Sequence, residues 1–327
     1  MKKNKFWLPI IILLTLVSGC KYLNFKTDEN PQVKVYSRVD TVYITYFKDS
    51  VDFPNRYKIF TPPVPKKASF AGERVPLANR DVYERFEREI IVNTYWHSAT
   101  LLYIKRAKRW LPVIEPILKR NGIPEDFKYI SIIESGLDNV TSPAKAVGFW
   151  QFLKGTGKKY GLEINEEVDE RYDVEKATEA ACKYFWDAYL EFGSWTLAAA
   201  SYNMGINGAR KQVKRQKSKN YYNLVLSIET ARYIFRALAL KQIMNNPKKY
   251  GFDISEDELY RPYEFKKIII RKSVKDFADF AKAHGINYRI LKIYNPWLRT
   301  NFLKNRKHKS YVIKLPAKID STVLTKE

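Results

Sequence analysis

From about Asp81 to residue 250 the chain repeats one pattern, apolar residues three to four apart, interrupted by single glycines and prolines. That spacing lays one apolar stripe along each of a series of helices, and such stripes reach stability only by packing on one another. Tyr83, Phe86 and Ile90 open the series, and Leu101, Tyr103, Ile104 and Ala107 follow. Trp110, Val113, Ile114, Ile117 and Leu118 carry it to a stop at Gly122. Pro124 then starts a helix with Glu125 and Asp126 in its first turn, where the helix dipole favours acids. A stripe over Lys176 to Phe192 ends at Gly193, and Ser194 is placed to cap a helix running through Trp195, Leu197 and Ala198 to Tyr202. Glu229 to Met244 reads as one more. The region 81–250 is expected to be mainly α, with little strand.

One of these stripes contains a charge. Phe127, Ile130, Ser131 and Glu134 share a face, which puts a carboxyl group at the seventh position along an otherwise apolar line. Two readings are open. A carboxyl drawn into apolar surroundings holds its proton above its usual pKa of about 4.3 and becomes a proton donor. Alternatively, the group pairs with an arginine or caps backbone amides.

The pattern changes after a linker around Gly251 to Pro262. Tyr263 to Ile270 reads as a strand, Val274 to Ala283 as a short helix, Leu291 and Tyr294 as part of a second, and Tyr311 to Leu315 as a closing strand. This βααβ module, residues 262–317, is expected to be separable from the helical domain, with a tail over 318–327. On the other side, residues 21–80 read as a partly irregular tether. Val33 to Phe47 has the alternation of a strand or hairpin, and Pro54, Pro62, Pro63, Pro65 and Pro76 punctuate the rest.

Residues 1–20 read as a leader. Lys2, Lys3 and Lys5 precede an apolar stretch from Phe6 to Val17, too short to span a bilayer comfortably. Val17-Ser18-Gly19-Cys20 resembles a bacterial lipobox, in which Cys20 is acylated after cleavage; an ordinary secretory leader is the alternative. Lys21 offers no acidic signal for retention in an inner membrane, so the expected location is the outer membrane, facing the periplasm. Cys182 is then left alone, without a disulfide partner, in an Ala-rich helical pattern that reads as core. His97, His284 and His308 lack ligand spacing, and neither metal nor cofactor is expected. With 58 Lys and Arg against 35 Asp and Glu, the net charge of +23 suits nucleic acid, an anionic membrane or an acidic polymer. Export makes nucleic acid an unsuitable partner.

The runs IIESGLDN (132–139), SPAKAVGFWQF (142–152), YG (160–161) and LAAASYNMGINGA (197–209) occur in a set order and spacing. With YERFEREI (83–90), RAKRWLPVI (106–114), ETARY (229–233) and NPKKYGF (246–252), they resemble the lysozyme-like SLT domain of lytic transglycosylases, of the membrane-bound murein type D. The resemblance covers roughly two-thirds of the chain. It implies an all-helical catalytic domain, a peptidoglycan substrate and Glu134 as the catalytic acid and base. It further implies substrate contacts from Ser142, Gln151, Tyr202, Asn203 and Tyr233. Here Phe149 stands where leucine is usual, Ser201 precedes the tyrosine of the YN pair, and Ala231 separates Thr230 from Arg232. Trp150 is expected in the core, and Asp169, Glu170 and Asp173 around Arg171 as ion pairs or caps.

The C-terminal module resembles the divergent LysM-like unit of such enzymes, through Phe277, Gly285, Leu291, Asn295-Pro296 and YVIKLP (311–316). Arg271-Lys272-Ser273 replaces the usual Gly-Asp-Thr opening. The implied activity is cleavage between N-acetylmuramic acid and N-acetylglucosamine with closure of a 1,6-anhydro ring, by a monomer. A hydrolysing muramidase of similar fold and a non-catalytic wall-binding lipoprotein are the alternatives. The basic runs from Arg210 to Lys219 and from Lys304 to Lys309 are either solvated faces or attractors of peptide-stem carboxylates.

Overall fold

The computed structural model describes residues 34–36, 41–43 and 59–318; the leader with Cys20, most of the tether and the tail beyond Lys318 lie outside the described residues. Lys34–Tyr36 (β1) pairs antiparallel with Thr41–Tyr43 (β2), within the span read as a hairpin. This hairpin falls in one compact unit and everything from Phe60 onward in another.

The second unit starts earlier than the helical pattern suggests. Ser69–Phe70 (β3) and Glu73–Arg74 (β4) form a short hairpin whose Phe70 is fully buried, 5.4 Å from the ring of Phe127. The last part of the expected tether is therefore built into the domain. Glu73 explains why it is held there: its carboxylate accepts from Ser194 Oγ (2.8 Å) and from the amides of Trp195 (2.6 Å) and Thr196 (3.0 Å). Those amides have no partner within their own helix, so an acid at this end is favoured twice, by hydrogen bonding and by the dipole.

The helices follow the stripes. Arg80–Tyr95 (α1) buries Val82, Phe86 and Ile90, and His97–Arg120 (α2) runs through both Pro112 and Pro116. A single 3-10 turn, Glu125–Phe127, leads into Lys128–Ser135 (α3). Lys154–Lys159 (α4) is short, and Val174–Phe192 (α5) buries its Ala-rich side together with Cys182. Trp195–Met204 (α6), capped by Ser194, is followed by the basic Ile206–Gln216 (α7) and by Ile228–Asn245 (α8). The helix α8 lies along α1, and α3 and α6 rest on α8, so the site below is framed by three helices around one core.

The module has the expected order: Phe265–Ile270 (β5), Phe277–Ala283 (α9), Tyr288–Tyr294 (α10) and Tyr311–Pro316 (β6), with β5 and β6 antiparallel. The first helix starts three residues later than its apolar pattern implies. Asp276 caps it by accepting from Ala278 and Asp279, while Val274 bridges to Leu303.

Separability does not hold. Val168, from the helical domain, is a member of the module's own apolar core. Asp169 N–H donates to Trp297 O (2.9 Å) and Arg299 N–H to Glu167 O (2.8 Å). Lys309 and Tyr311 reach Glu163 (3.0 and 3.1 Å), Lys314 reaches Glu175 (3.1 Å), and Arg299 lies 3.9 Å over the ring of Tyr172. The linker is fastened too, with Tyr260 N–H on Lys105 O and Arg109 on Arg261 O. An apolar residue shared between two cores cannot leave one without exposing it, which joins the module to its neighbour.

Candidate active site

The helix that carries Glu134 is stopped two residues later by two consecutive residues with left-handed backbone, Gly136 (φ 63°) and Leu137 (φ 57°). A side chain at Gly136 would meet the Tyr103 ring at 2.5 Å, so glycine is required there for space as well as conformation. The open carbonyls at this end are taken by cations. Arg236 donates to Ile133 O (3.1 Å) and Arg106 to Gly136 O (3.0 Å), while Arg106 also pairs with Asp138 at 2.8 Å. Cations at a helix C-terminus complement its dipole and hold Glu134 in place from both sides.

Glu134 itself is half-buried, and its carboxylate accepts a hydrogen bond from the Tyr233 hydroxyl. Burial pushes its pKa from 4.5 up to about 7, against the lowering effects of the Tyr233 hydrogen bond and the Arg236 charge. The charge of Glu229 acts in the raising direction. Tyr233 and Tyr202 are held well above the ordinary phenol value, first by burial and then by the neighbouring Glu134 charge, so both remain donors. A carboxyl poised near neutrality beside fixed phenols is what a proton donor that must later take a proton back requires.

The wall beside it is the segment 147–152. Tyr202 donates to Trp150 O (2.6 Å) and Ser135 to Phe149 O (3.0 Å), which ties this backbone to α6 and to the residue after Glu134. Gly148 (φ 80°) lies so close to the carbonyl of Arg171 that a Cβ would sit 2.0 Å from that oxygen. Gln151 takes a left-handed conformation (φ 47°), uncommon for a residue with a side chain. Its amide nitrogen donates to Gly148 O (2.8 Å) and Val140 O (3.1 Å), which compensates that strain and leaves Oε1 with no hydrogen-bond donor among the described residues. Trp150 is fully buried with Nε1 on Thr178 (2.8 Å), as expected of a core residue, and Phe149 packs edge-on against Trp110 at 4.9 Å.

Of the residues singled out in the sequence, Glu134, Tyr202 and Tyr233 come together. Asn203, in the last turn of α6, reaches across to the first turn of α8, donating to Glu229 (2.9 Å) and accepting from Thr230 (2.7 Å), so its amide is oriented on both sides. Ser142 closes the turn over Pro143 and Ala144: its hydroxyl accepts from the amide of Ala146 (3.0 Å), and no hydrogen bond joins it to Glu134 among the described residues. The other acids are occupied. Asp138 pairs with Arg106 and Asp169 with buried Arg171 (2.7 Å); Glu170 pairs with Lys176, and Asp173 caps α5. Arg236, Arg106 and Glu229 escaped the sequence reading. The signal available for Arg236 was a lone charge among the apolar residues of IFRALAL.

The chain matches the family described as "Transglycosylase SLT domain" over residues 112–225, which contains Glu134 and the 147–152 wall. Residues 266–319 match "Soluble lytic transglycosylase C-terminal LysM-like domain". The chain carries an SLT transglycosylase domain. Two curated relatives are each 30% identical over 244 residues, 72% of this chain, and both are called membrane-bound lytic murein transglycosylase D. One is from Escherichia coli (strain K12), the other from Escherichia coli O6:H1. The match spans 52% of each relative, so the chain spans about half the length of the curated relatives it matches. Tyr233, the donor to Glu134, lies just beyond the SLT match. A cavity of about 750 Å³ lies elsewhere, between Lys158–Asn165 and Lys309, and its Glu163 and Glu170 are already paired. The SLT site is instead the place where a carboxyl is free to exchange a proton.

Proposed function

We propose that this chain is a peptidoglycan lytic transglycosylase with Glu134 as its single acid and base. The observation that carries the reading is the Glu134 carboxyl, raised to about 7 inside a matching SLT domain and bonded to a neutral phenol rather than a counter-charge. Protonated Glu134 donates to the glycosidic oxygen between N-acetylmuramic acid and N-acetylglucosamine, and the C1–O bond breaks. The carboxylate then takes the proton of the muramic C6 hydroxyl as O6 bonds to C1. A 1,6-anhydro ring closes, water is not consumed, and Glu134 returns to its starting state. Tyr202 and Tyr233 fix the carboxyl and the wall, Asn203 and Gln151 present oriented amide groups to the sugar, and Ser142 offers its hydroxyl from the turn.

The leader, acylation at Cys20 and placement on the outer membrane facing the periplasm belong to the same proposal, as does a monomeric state. A relative named as membrane-bound supports membrane association, and no helix among the described residues is long and apolar enough to cross a bilayer. A hydrolysing enzyme would need a base for water, and Glu229, gripped by Asn203, is the acid whose charge reaches Glu134. Turbidity of purified sacculi tests the main reading. Wild type clears the suspension and Glu134→Gln does not; clearing by both would end the assignment.

A further inference from the structure

The catalytic domain and the module carry charge very differently. Residues 262–318 hold fifteen lysines and arginines against three acids, Glu264, Asp276 and Asp279, a net of +12 within a chain whose total is +23. Three of those cations, Lys267, Lys309 and Lys314, are spent on Glu163 and Glu175 at the seam with the helical domain. Arg271, Lys272, Lys275, Arg306 and Lys307 are exposed and have no acid at ion-pair distance among the described residues.

These five are gathered on one edge. The turn after β5 and the loop before β6 are stitched together: Asn305 N–H donates to Ser273 Oγ (3.0 Å), Asn305 Nδ2 to Arg271 O (3.1 Å) and Arg271 Nε to Ser310 Oγ (3.1 Å). The bridge between Val274 and Leu303 closes the same seam. Beside it lies a depression of about 610 Å³, lined by Ile269, Ile270, Val274 and Phe280, with Arg271 and Lys272 among its walls. Ile269, 63% exposed, pairs across the sheet with Val312, 41% exposed, so the two strands present an aliphatic pair to solvent beside the cations. Like charges held this close repel, and a fold keeps them so only at some cost unless an anionic partner offsets it.

We propose that this edge docks on an anionic phospholipid surface. Phosphate headgroups would sit against Arg271, Lys272, Lys275, Arg306 and Lys307, with Ile269 and Val312 entering the boundary below them. Charge complementarity requires an anionic partner, and the apolar element selects among anionic partners. Sugar recognition uses flat aromatic faces, whereas the exposed strand residues here, Ile269 and Val312, are aliphatic and partition into acyl chains. Phe280, the ring lining the depression, is half-buried and packed on His284 (4.3 Å between ring centroids). Arg271-Lys272-Ser273, standing where a LysM opening has Gly-Asp-Thr, supplies the rim. Because the module is fastened to the helical domain, such docking would orient the whole unit on the membrane.

The test is co-sedimentation of the chain from Lys21 onward, which keeps every described element, with two kinds of vesicle. Phosphatidylcholine vesicles containing phosphatidylglycerol should pellet it, vesicles of phosphatidylcholine alone should not, and salt should weaken the binding. Reversing Arg271, Lys272, Arg306 and Lys307 to Glu should cut binding on the order of 10²-fold or more, given the usual contribution of each basic residue near such a surface. Ile269→Asp should lower it several-fold, while Lys211→Glu with Lys214→Glu and Arg215→Glu on α7 should leave it within about twofold. Unchanged circular dichroism keeps these comparisons fair. Equal loss in the α7 variant, indifference to lipid charge, or retention by sacculi but not by vesicles would each overturn the proposal. Vesicles contain no glycan, so this outcome is independent of the transglycosylase reading.

Discussion

Two glutamates face neighbouring residues of the same helix and meet opposite fates. Arg232 of α8 reaches Glu89 of α1 (2.6 Å), and Arg88 holds the same carboxylate. The next residue, Tyr233, reaches Glu134 of α3. Glu89 is only 1% exposed, yet two guanidinium groups satisfy it, and it serves as a cross-brace between α1 and α8. Glu134 has a phenol instead, and Arg236, whose charge acts on it, spends a donor on the carbonyl of Ile133. Burial of a carboxyl is thus compatible with either structure or chemistry. The partner decides which, because a full counter-charge fixes the anion while a neutral donor leaves the proton exchangeable.

Exchanging both carboxyls for amides separates the two roles. Glu134→Gln should reduce sacculus lysis about 10³-fold or more, the scale of general acid–base work, with the fold intact by circular dichroism. Glu89→Gln should leave the rate per folded molecule near wild type but cost about 3 kcal/mol in denaturant unfolding, because two arginines lose their partner. Equal catalytic losses would erase the distinction.

The pH dependence of stability sharpens it. The folded pKa of Glu134 is raised from 4.5 to about 7, so the fold disfavours the charged form. Its contribution to stability is whole below about 4.5, is lost as pH rises to about 7, and is constant above that. At about 1.4 kcal/mol per pKa unit, the loss approaches about 3 kcal/mol. Glu134→Gln should therefore become more stable than wild type as pH rises through that window, read as a growing gap in Tm.

Tyr233→Phe should lower the rate about 10-fold, the worth of one hydrogen bond to a charged group. It also removes an effect that lowers the Glu134 pKa, so the alkaline limb of the pH–rate profile should move upward. The smallest effects have opposite signs. Arg236→Gln should move that limb up and Glu229→Gln should move it down, each by less than Tyr233→Phe.

What could be read from the sequence was what is local. The stripe from Phe127 to Glu134 defines a helix and its face by periodicity, and Ser194 and Gly193 mark ends by capping chemistry. The positions of Gln151 and Ser142 depend on a loop whose shape is set by the approach of Gly148 to the Arg171 carbonyl, more than twenty residues away. Phe70 looked like part of a tether because two short strands carry too little periodicity to register. Val168 gave no sign that it belongs to the module's core, since its partners there, Leu298 among them, are remote in the chain. Arg236 was hidden for a similar reason, its role being to satisfy a backbone carbonyl of another helix.

Weighing the glycan ends released from purified sacculi bears most directly on the central claim. If Glu134 returns the leaving-group proton by taking one from the sugar's own hydroxyl, every new muramyl end is lighter by one water than its hydrolysed counterpart. Ends of full mass, with a free reducing group, would mean that water had been the nucleophile and that a second group had activated it.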